Sequence, residues 1–253
     1  MKVVILAGGY GTKIGDEEIK PKPLIEIGGR PILWHLMKLF SAYGFNDFLI
    51  ALGYKGELIK RYIVDYVTLQ SNLTINLRDG SVEIHDKPQQ DWKVELVETG
   101  LSTKTGGRIK KLAPYLSNET FMLTWGDNLS NINLKELLAF HRSHGKLATV
   151  TAVHPTARYG FLKFTENQVE EFCNNPQFED GWMNGGFFVL EPEVMEYIEG
   201  EDTVWEFEPL ANLAKDGQLM GYKHDGFWYA VDTPREKFVL EKLWESNEAP
   251  WRV

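Results

Sequence analysis

Three groups of residues in this chain have the types and spacing to do chemistry on a phosphate. The first is Gly8-Gly9-Tyr10-Gly11-Thr12-Lys13, fed by the apolar run Val3 to Ala7 and followed by Lys20-Pro21-Lys22-Pro23. Glycines let backbone N–H groups crowd around an anion, and the lysines add mobile positive charge. A P-loop needs Gly-Lys before Ser or Thr, whereas here the order is Gly11-Thr12-Lys13. A dinucleotide fingerprint starting at Gly9 needs glycine where Ile14 stands, so neither motif applies. The second group is a pair of carboxylates, Asp127 after Phe121 to Trp125 and Asp232 after Phe227 to Val231. Each follows an apolar strand in a tight turn, and together they suit one Mg²⁺, which takes one or two protein carboxylates plus water and phosphate oxygens. The competing role for each is to cap the helix that follows, above all for Asp232 before Thr233-Pro234. The third group, Thr105-Gly106-Gly107-Arg108, reads as a glycine turn before a helix from Ile109, with a hydroxyl, backbone amides and a guanidinium for a base edge or phosphate.

The elements that must position these groups alternate. Val3 to Ala7 is a strand; Pro31 begins a helix whose apolar positions run from Ile32 to Phe40 until Gly44 ends it. Asp47 to Leu52 is a buried strand and Glu57 to Val67 a helix, the pattern of a parallel sheet covered by helices. Leu73 to Leu77, Val82 to His85 and Val94 to Val97 are expected as short strands of an antiparallel excursion. Phe121 to Trp125 returns to the buried type, and ligands of open α/β sheets gather at the carboxyl ends of such strands. Leu134 to Ser143 and Pro234 to Glu245 are helical, with strands at Thr149 to Val153, Gly160 to Phe164, Gly185 to Leu190, Leu219 to Lys223 and Phe227 to Val231. The fold class is therefore α/β, a mixed and mostly parallel sheet flanked by helices with a small antiparallel excursion. Residues 1–253 are expected to form a single domain, since no linker or repeat divides them.

A net charge of −9 over 253 residues argues against a general nucleic-acid partner. The only cysteine, Cys173, excludes an intrachain disulfide and suits a packing role, which fits the cytoplasm. No signal peptide or membrane span is apparent, so no membrane partner is expected. The histidines show no metal spacing: His141 and His144 are expected at the surface of a helix end, and His35 inside an amphipathic helix as a structural group. No Ser-His-Asp arrangement is visible. The aromatics Trp182, Trp205, Phe207 and Trp228 belong to the core, an acceptor pocket or a subunit contact, and a homo-oligomer is expected.

Taken as a set, several stretches resemble the sugar-phosphate nucleotidyltransferases, and most closely their glucose-1-phosphate cytidylyltransferase branch. They are Leu6 through Thr12, Lys20 through Pro23, Glu26 through His35, Thr105 through Arg108, Gly126-Asp127, Asn184 through Leu190 and Phe227 through Thr233. The resemblance runs to the closing Ala249-Pro250-Trp251. It implies a Rossmann-like nucleotidyltransferase fold and a Mg²⁺-dependent attack by an acceptor phosphate on the α-phosphorus of CTP, releasing pyrophosphate. The partners it implies are CTP and a small phosphorylated acceptor. The implied nucleotide site comprises Leu6, Ala7, Gly8, Gly9, Gly11 and Thr12, then Lys13 and Lys22, and finally Thr105, Gly106, Arg108 and Gly126. Lys22, Lys13 and Asp127 carry the catalysis, and Asp127 and Asp232 bind the metal. No general base is needed, because the acceptor phosphate is already an anionic nucleophile.

Two departures stand out. The family's loop ends in Gly-Thr-Arg, and Lys13 keeps the charge without the planar fork. The family's Glu-Lys-Pro motif, which grips the sugar 1-phosphate, is replaced by Asn174-Asn175-Pro176. A lost charge-assisted hydrogen bond to phosphate costs about 1.5–3 kcal/mol, so a changed acceptor is expected. The amides of Asn174 and Asn175, joined by Asn184 and Tyr159, suit an amide-bearing acceptor, which points to phosphorylated glutamine of a capsular phosphoramidate pathway ahead of glucose 1-phosphate. With glucose 1-phosphate, Arg158 or Lys163 would have to replace the missing lysine. A non-catalytic nucleotide-binding paralogue is the third reading.

Overall fold

The computed structural model describes residues 1–10, 20–86, 90–116, 118–154, 161–165, 168–173 and 181–253, with the backbone alone described at 161–165 and 168–173. Gly11, Thr12, Lys13, Arg158, Tyr159, Asn174 and Asn175, and the side chains of Lys163 and Cys173, therefore lie outside the described residues.

Seven strands form the main sheet: β1 (Val3–Leu6), β2 (Asp47–Leu52), β3 (Lys93–Glu98), β4 (Phe121–Trp125), β5 (Ala148–Val153), β6 (Met183–Leu190) and β7 (Leu219–His224). Their order across the sheet is β7-β5-β6-β4-β1-β2-β3. β1, β2, β3 and β4 run parallel, as do β5 and β7, while β6 lies antiparallel to both of its neighbours. Every residue of β1 is buried, as a central strand covered on both faces requires.

Side chains alternate between two cores. On one face Val3 and Ile5 meet α1 (Ile32–Ala42), α2 (Gly56–Leu69), α4 (Leu134–His144) and α6 (Pro234–Glu245), through residues such as Leu36, Ile59, Leu137 and Leu240. On the other, Val4 and Leu6 meet α3 (Thr105–Leu112) and α5 (Glu208–Lys215) through Ile109, Leu112 and Leu213. Both faces of the apolar strands are thus closed by helices; the periodicity foretold all of them except α5, which the sequence reading did not place.

Three expectations need correction. The segment around Val94 to Val97 is not part of the antiparallel excursion: β3 pairs in parallel with β2 at the sheet edge. Its alternation of Lys93, Val94, Glu95 and Leu96 is that of a strand wetted on one side, which sequence alone does not separate from a hairpin strand. Only Asn72–Asn76 and Ser81–His85 form the expected hairpin. His141 is not at the surface but 2% exposed, with Nδ1 2.8 Å from Thr149 Oγ1 and Nε2 3.0 Å from Glu191 Oε1. It falls on the inward face of α4, four residues after Leu137, and His144 Nε2 likewise reaches Thr149 Oγ1 at 2.7 Å. Finally, Thr105 to Arg108 is the first turn of α3 itself and not a turn before it.

The glycines of that first turn are there for packing. A Cβ on Gly106 would lie 2.8 Å from the Thr203 carbonyl oxygen, and one on Gly107 would overlap the Glu201 carbonyl. The contact is cemented by Lys104 N–H donating to Glu201 O at 2.8 Å and Gly107 N–H to Thr203 O at 3.2 Å. Alanine gains about 1 kcal/mol over glycine in a helix interior, but overpacking costs about 1–3 kcal/mol, and a backbone neighbour has no rotamer to escape into. Gly107→Ala is therefore expected to lower stability by about 2 kcal/mol. A urea unfolding midpoint equal to or above wild type would refute that close approach.

Candidate active site

At the carboxyl ends of β1 and β4 a cavity of about 310 Å³ opens. Leu6, Ala7, Gly8 and Gly9 line it together with Lys22, Gly126 and Asp127. Thr105, Arg108 and Trp125 complete the wall towards α3. Gly106 is not on that wall, because it packs against Thr203.

The described part of the glycine loop is held from behind by Arg108, which is 4% exposed. Its Nη1 donates to Leu52 O at 3.0 Å, Thr99 Oγ1 at 2.6 Å and Gly100 O at 2.8 Å, and its Nη2 donates to Gly8 O at 2.8 Å. One guanidinium thereby ties together the chain beyond β1, β2 and β3, using the several fixed donors that only arginine offers. Burial lowers its pKa somewhat, with Tyr10 opposing, yet a guanidinium stays charged. Gly8 O also accepts from Tyr54 N–H at 3.3 Å. In a trans peptide the N–H points opposite to the C=O, so anchoring the Gly8 carbonyl turns the Gly9 N–H away from the knot. Arg108 therefore acts on the loop's backbone as well as lining the cavity. A Cβ on Gly8 would overlap the guanidinium, which explains glycine there.

Lys22 begins a short 3₁₀ turn, Lys22–Leu24, framed by Pro21 and Pro23. Gly126 lets this turn approach, since a Cβ there would lie 2.6 Å from Pro23 Cγ and 2.9 Å from Leu6 O. Lys22 Nζ then donates to Asp127 Oδ2 at 2.9 Å and to Asp232 Oδ1 at 2.6 Å. Residues 105 and 210 positions apart are joined because two short strands, Asn128–Ser130 and Trp228–Ala230, pair antiparallel, with Val231 N–H donating to Asp127 O at 2.9 Å. Sequence reasoning placed the strand within Phe227 to Val231 but missed its partner, Asn128–Ser130, which follows β4 after a two-residue turn.

The capping alternative fails for both aspartates. Thr233 caps α6 in a reciprocal box with Glu236, and Glu236 also accepts from Asp232 N–H at 2.6 Å. Asp127 precedes a strand and not a helix. Burial would lower the Lys22 pKa, but Asp127 and Asp232 outweigh it and hold the ammonium above its usual value. Burial pushes the Asp127 carboxyl up, aided by the Asp232 charge and opposed by Lys22.

Two carboxylates converging on one positive charge are a donor set that fits Mg²⁺: hard oxygens, few in number, with room for water and phosphate ligands. Among the described residues no group of three or more His, Cys, Asp or Glu offers an alternative metal cluster. Thr105 Oγ1 donates to Glu206 Oε2 at 2.6 Å and accepts from Trp205 N–H at 2.9 Å, while Trp125 Nε1 donates to Glu206 Oε1 at 2.8 Å. Glu206, an acid inside an aromatic run, is a second residue that sequence reasoning overlooked. Asn184 lies beyond the cavity wall, its Oδ1 accepting from Gly186 N–H at 2.8 Å. Trp205 is fully buried and Phe207 is exposed, while Trp228 Nε1 donates to Gly185 O at 2.6 Å. Among the described residues no helix is long and apolar enough to cross a membrane.

In comparisons with known proteins, the chain is 47% identical over 255 residues to the glucose-1-phosphate cytidylyltransferase of Salmonella typhimurium, spanning all of this chain and 99% of that protein. It is 44% identical over 256 residues to the probable glucose-1-phosphate cytidylyltransferase of Bacillus subtilis, spanning both chains in full. Among solved structures, HddC from Yersinia pseudotuberculosis matches with a TM-score of 0.69 at 21% identity, covering 96% of this chain and 99% of that one, a likeness of fold. The family described as Nucleotidyl transferase matches residues 2–234, a span that takes in the glycine loop, Lys22 and both aspartates. This chain belongs to that family and is an enzyme of nucleotidyl transfer.

Proposed function

We propose that the protein is a cytidylyltransferase that joins CMP from CTP to a hexose 1-phosphate, with glucose 1-phosphate as the first candidate. The observation that carries the chemistry is Lys22 bridging Asp127 and Asp232 beside the glycine-loop cavity. Support for CTP and glucose 1-phosphate comes from relatives that bear those activities in their names at 47% and 44% identity. The sequence put phosphorylated glutamine first on the strength of Asn174 and Asn175, which lie outside the described residues. The relatives favour the sugar phosphate instead. Phosphoglutamine remains the second reading, carried by Asn174-Asn175-Pro176 standing in place of Glu-Lys-Pro.

In this reading the loop amides from Gly8 onward hold the triphosphate and Lys22 turns its ammonium to phosphate oxygens. Asp127 and Asp232 would hold Mg²⁺, which when bound supplies charge neutralisation along the triphosphate. The acceptor phosphate attacks the α-phosphorus, a P–O bond forms to it, and the bond to the β-phosphate breaks with pyrophosphate leaving. The protein's part is to align the two anions and screen their repulsion. A single domain over 1–253 and a cytosolic setting accord with the family match over 2–234 and the lone Cys173.

The test is pyrophosphate release over a panel of nucleoside triphosphates and phosphorylated acceptors with Mg²⁺. CTP with glucose 1-phosphate is expected to give the highest kcat/KM. A preference for phosphoglutamine by about tenfold or more would overturn the sugar reading in favour of the second. CTP binding with no turnover on any acceptor would revive the non-catalytic paralogue.

A further inference from the structure

α6 follows Asp232 closely and carries two large side chains, Glu241 and Trp244, near its far end. Both meet one peptide group at the other end of the chain. Glu241 Oε2 accepts from Gly28 N–H at 2.8 Å, and the Trp244 indole fills the space that a Cβ on Gly28 would need. The carbonyl of that same peptide, Ile27 O, is 2.9 Å from His35 Nε2 on α1. A carbonyl oxygen only accepts, so His35 carries a proton on Nε2 and donates it. The Ile27–Gly28 peptide is thus clasped from α6 on its N–H side and from α1 on its C=O side. His35 and Trp244 close the clasp edge to face, with centroids 4.8 Å apart, and the buried Trp251 backs both rings.

That peptide leads straight to Lys22. Gly28 and Gly29, at φ +59° and +71°, form the two-residue turn of a hairpin between Glu26–Ile27 and Arg30–Pro31. At the base of the hairpin Ile25 O accepts from Ile32 N–H at 2.9 Å, and Ile25 N–H donates to Lys22 O at 3.0 Å, closing the 3₁₀ turn that Lys22 begins. Paired backbone therefore runs from the clasp to the lysine turn. On the other side, Glu241 stands about 10 Å along α6 from Pro234. The capping box of Thr233 with Glu236 carries that axis back to Asp232, whose N–H donates to Glu236 Oε2 at 2.6 Å. The contact of Lys22 Nζ with Asp232 Oδ1 at 2.6 Å then closes a ring of lysine turn, hairpin, α6 and aspartate. Asp127 stands outside this ring, because Gly126 against Pro23 sets it directly.

We propose that Glu241, Trp244 and His35 are positioning residues for nucleotidyl transfer: by clasping the Ile27–Gly28 peptide they set where the Lys22 ammonium stands relative to the Asp232 carboxylate. This rests on the reading above in which Lys22 meets phosphate oxygens and Asp232 the cation. A lysine is a point charge on a flexible four-carbon stem, so its placement depends on where the backbone of its turn is held. None of the three residues lines the cavity, so their effect on the reaction passes through the Lys22–Asp232 pair. A misplacement of about 1 Å at a reacting centre can cost about a hundredfold in rate, and a clasp with one of its two sides removed is expected to cost about tenfold.

The experiment is a double-mutant cycle on the full-length enzyme, read as pyrophosphate release with CTP and whichever of the two acceptors above it turns over. Glu241→Ala is expected to lower kcat about tenfold with both substrate KM values within about twofold of wild type. Glu241→Gln, which keeps an acceptor oxygen for Gly28 N–H, is expected to stay within about twofold in kcat. In a Lys22→Met background, Glu241→Ala is expected to change kcat by less than about twofold, because the group it positions is gone. In the protein without metal or substrate, the Gly28 and Ile25 amides are expected to lose protection from hydrogen exchange in Glu241→Ala. A further tenfold fall in the Lys22→Met background would make Glu241 a general stabiliser and overturn the positioning role. Unchanged kcat in Glu241→Ala, unchanged protection at Ile25, or a Glu241→Gln as slow as Glu241→Ala overturns it as well, while leaving Lys22 assigned. A Lys22→Met variant with wild-type kcat overturns the reading of Lys22 and the positioning role with it.

Discussion

Asp127→Asn and Asp232→Asn are each expected to lower pyrophosphate release by about a thousandfold, with melting temperature close to wild type. Asparagine keeps the shape of each side chain and removes the charge. In the resting protein Lys22 still has the other carboxylate as a partner, at 2.9 Å or 2.6 Å, so the local fold loses one of two charge-assisted hydrogen bonds. What is lost entirely, on the proposed function, is a negatively charged oxygen that would hold the triphosphate's counter-ion. Neither aspartate is needed to cap a helix, since Thr233 and Glu236 already cap α6 and Asp127 leads into a strand. Rates within tenfold of wild type for either variant would remove that residue from the metal site.

Lys22→Met has the second-largest expected effect, a fall in kcat/KM of about a hundredfold to a thousandfold. It carries a second signature that separates electrostatics from collapse. Without the ammonium, Asp127 and Asp232 face each other unscreened, which costs about 1 kcal/mol in metal-free buffer after allowance for solvent. Added Mg²⁺ is expected to raise the melting temperature of Lys22→Met more than that of wild type, because the cation restores what the lysine supplied. Equal shifts in the two proteins would mean that the carboxylates do not share a cation. Lys22→Arg keeps the charge but not the compact point of contact between two closely set oxygens, and is expected to fall between the two.

How far this site was legible differs residue by residue. The glycines after β1, the prolines around Lys22 and the two aspartates after apolar strands announce themselves locally, because each is set by a backbone demand or a strand end within a few positions. Arg108 announced only a charge near glycines. Apart from the Thr99 hydroxyl, its partners are the carbonyls of Leu52, Gly100 and Gly8, and carbonyls leave no side-chain signature in a sequence. His141 looked exposed because its partners lie on other elements, Thr149 on β5 and Glu191 50 residues away just past β6. Gly106 and Gly107 read as a ligand loop because the chain they pack against, at Glu201 and Thr203, is equally remote. The parallel helices-and-strands plan was readable from apolar periodicity. The edge position of β3 was not, since a half-wet parallel strand and a hairpin strand share one alternation.

The place of β6 in the sheet bears on how the protein is made. Both neighbours of β5 are strands synthesised after it, β6 on one side and β7 on the other, whereas β1, β2, β3 and β4 have already acquired partners among themselves by residue 125. A chain emerging from the ribosome can thus assemble its nucleotide half early, while β5 leaves the exit tunnel with both edges bare. At about 5–20 residues per second, the wait from β5 until β6 arrives lasts a few seconds. For those seconds β5 and the open edge of β4 present unpaired strand edges, the kind of surface on which chains associate.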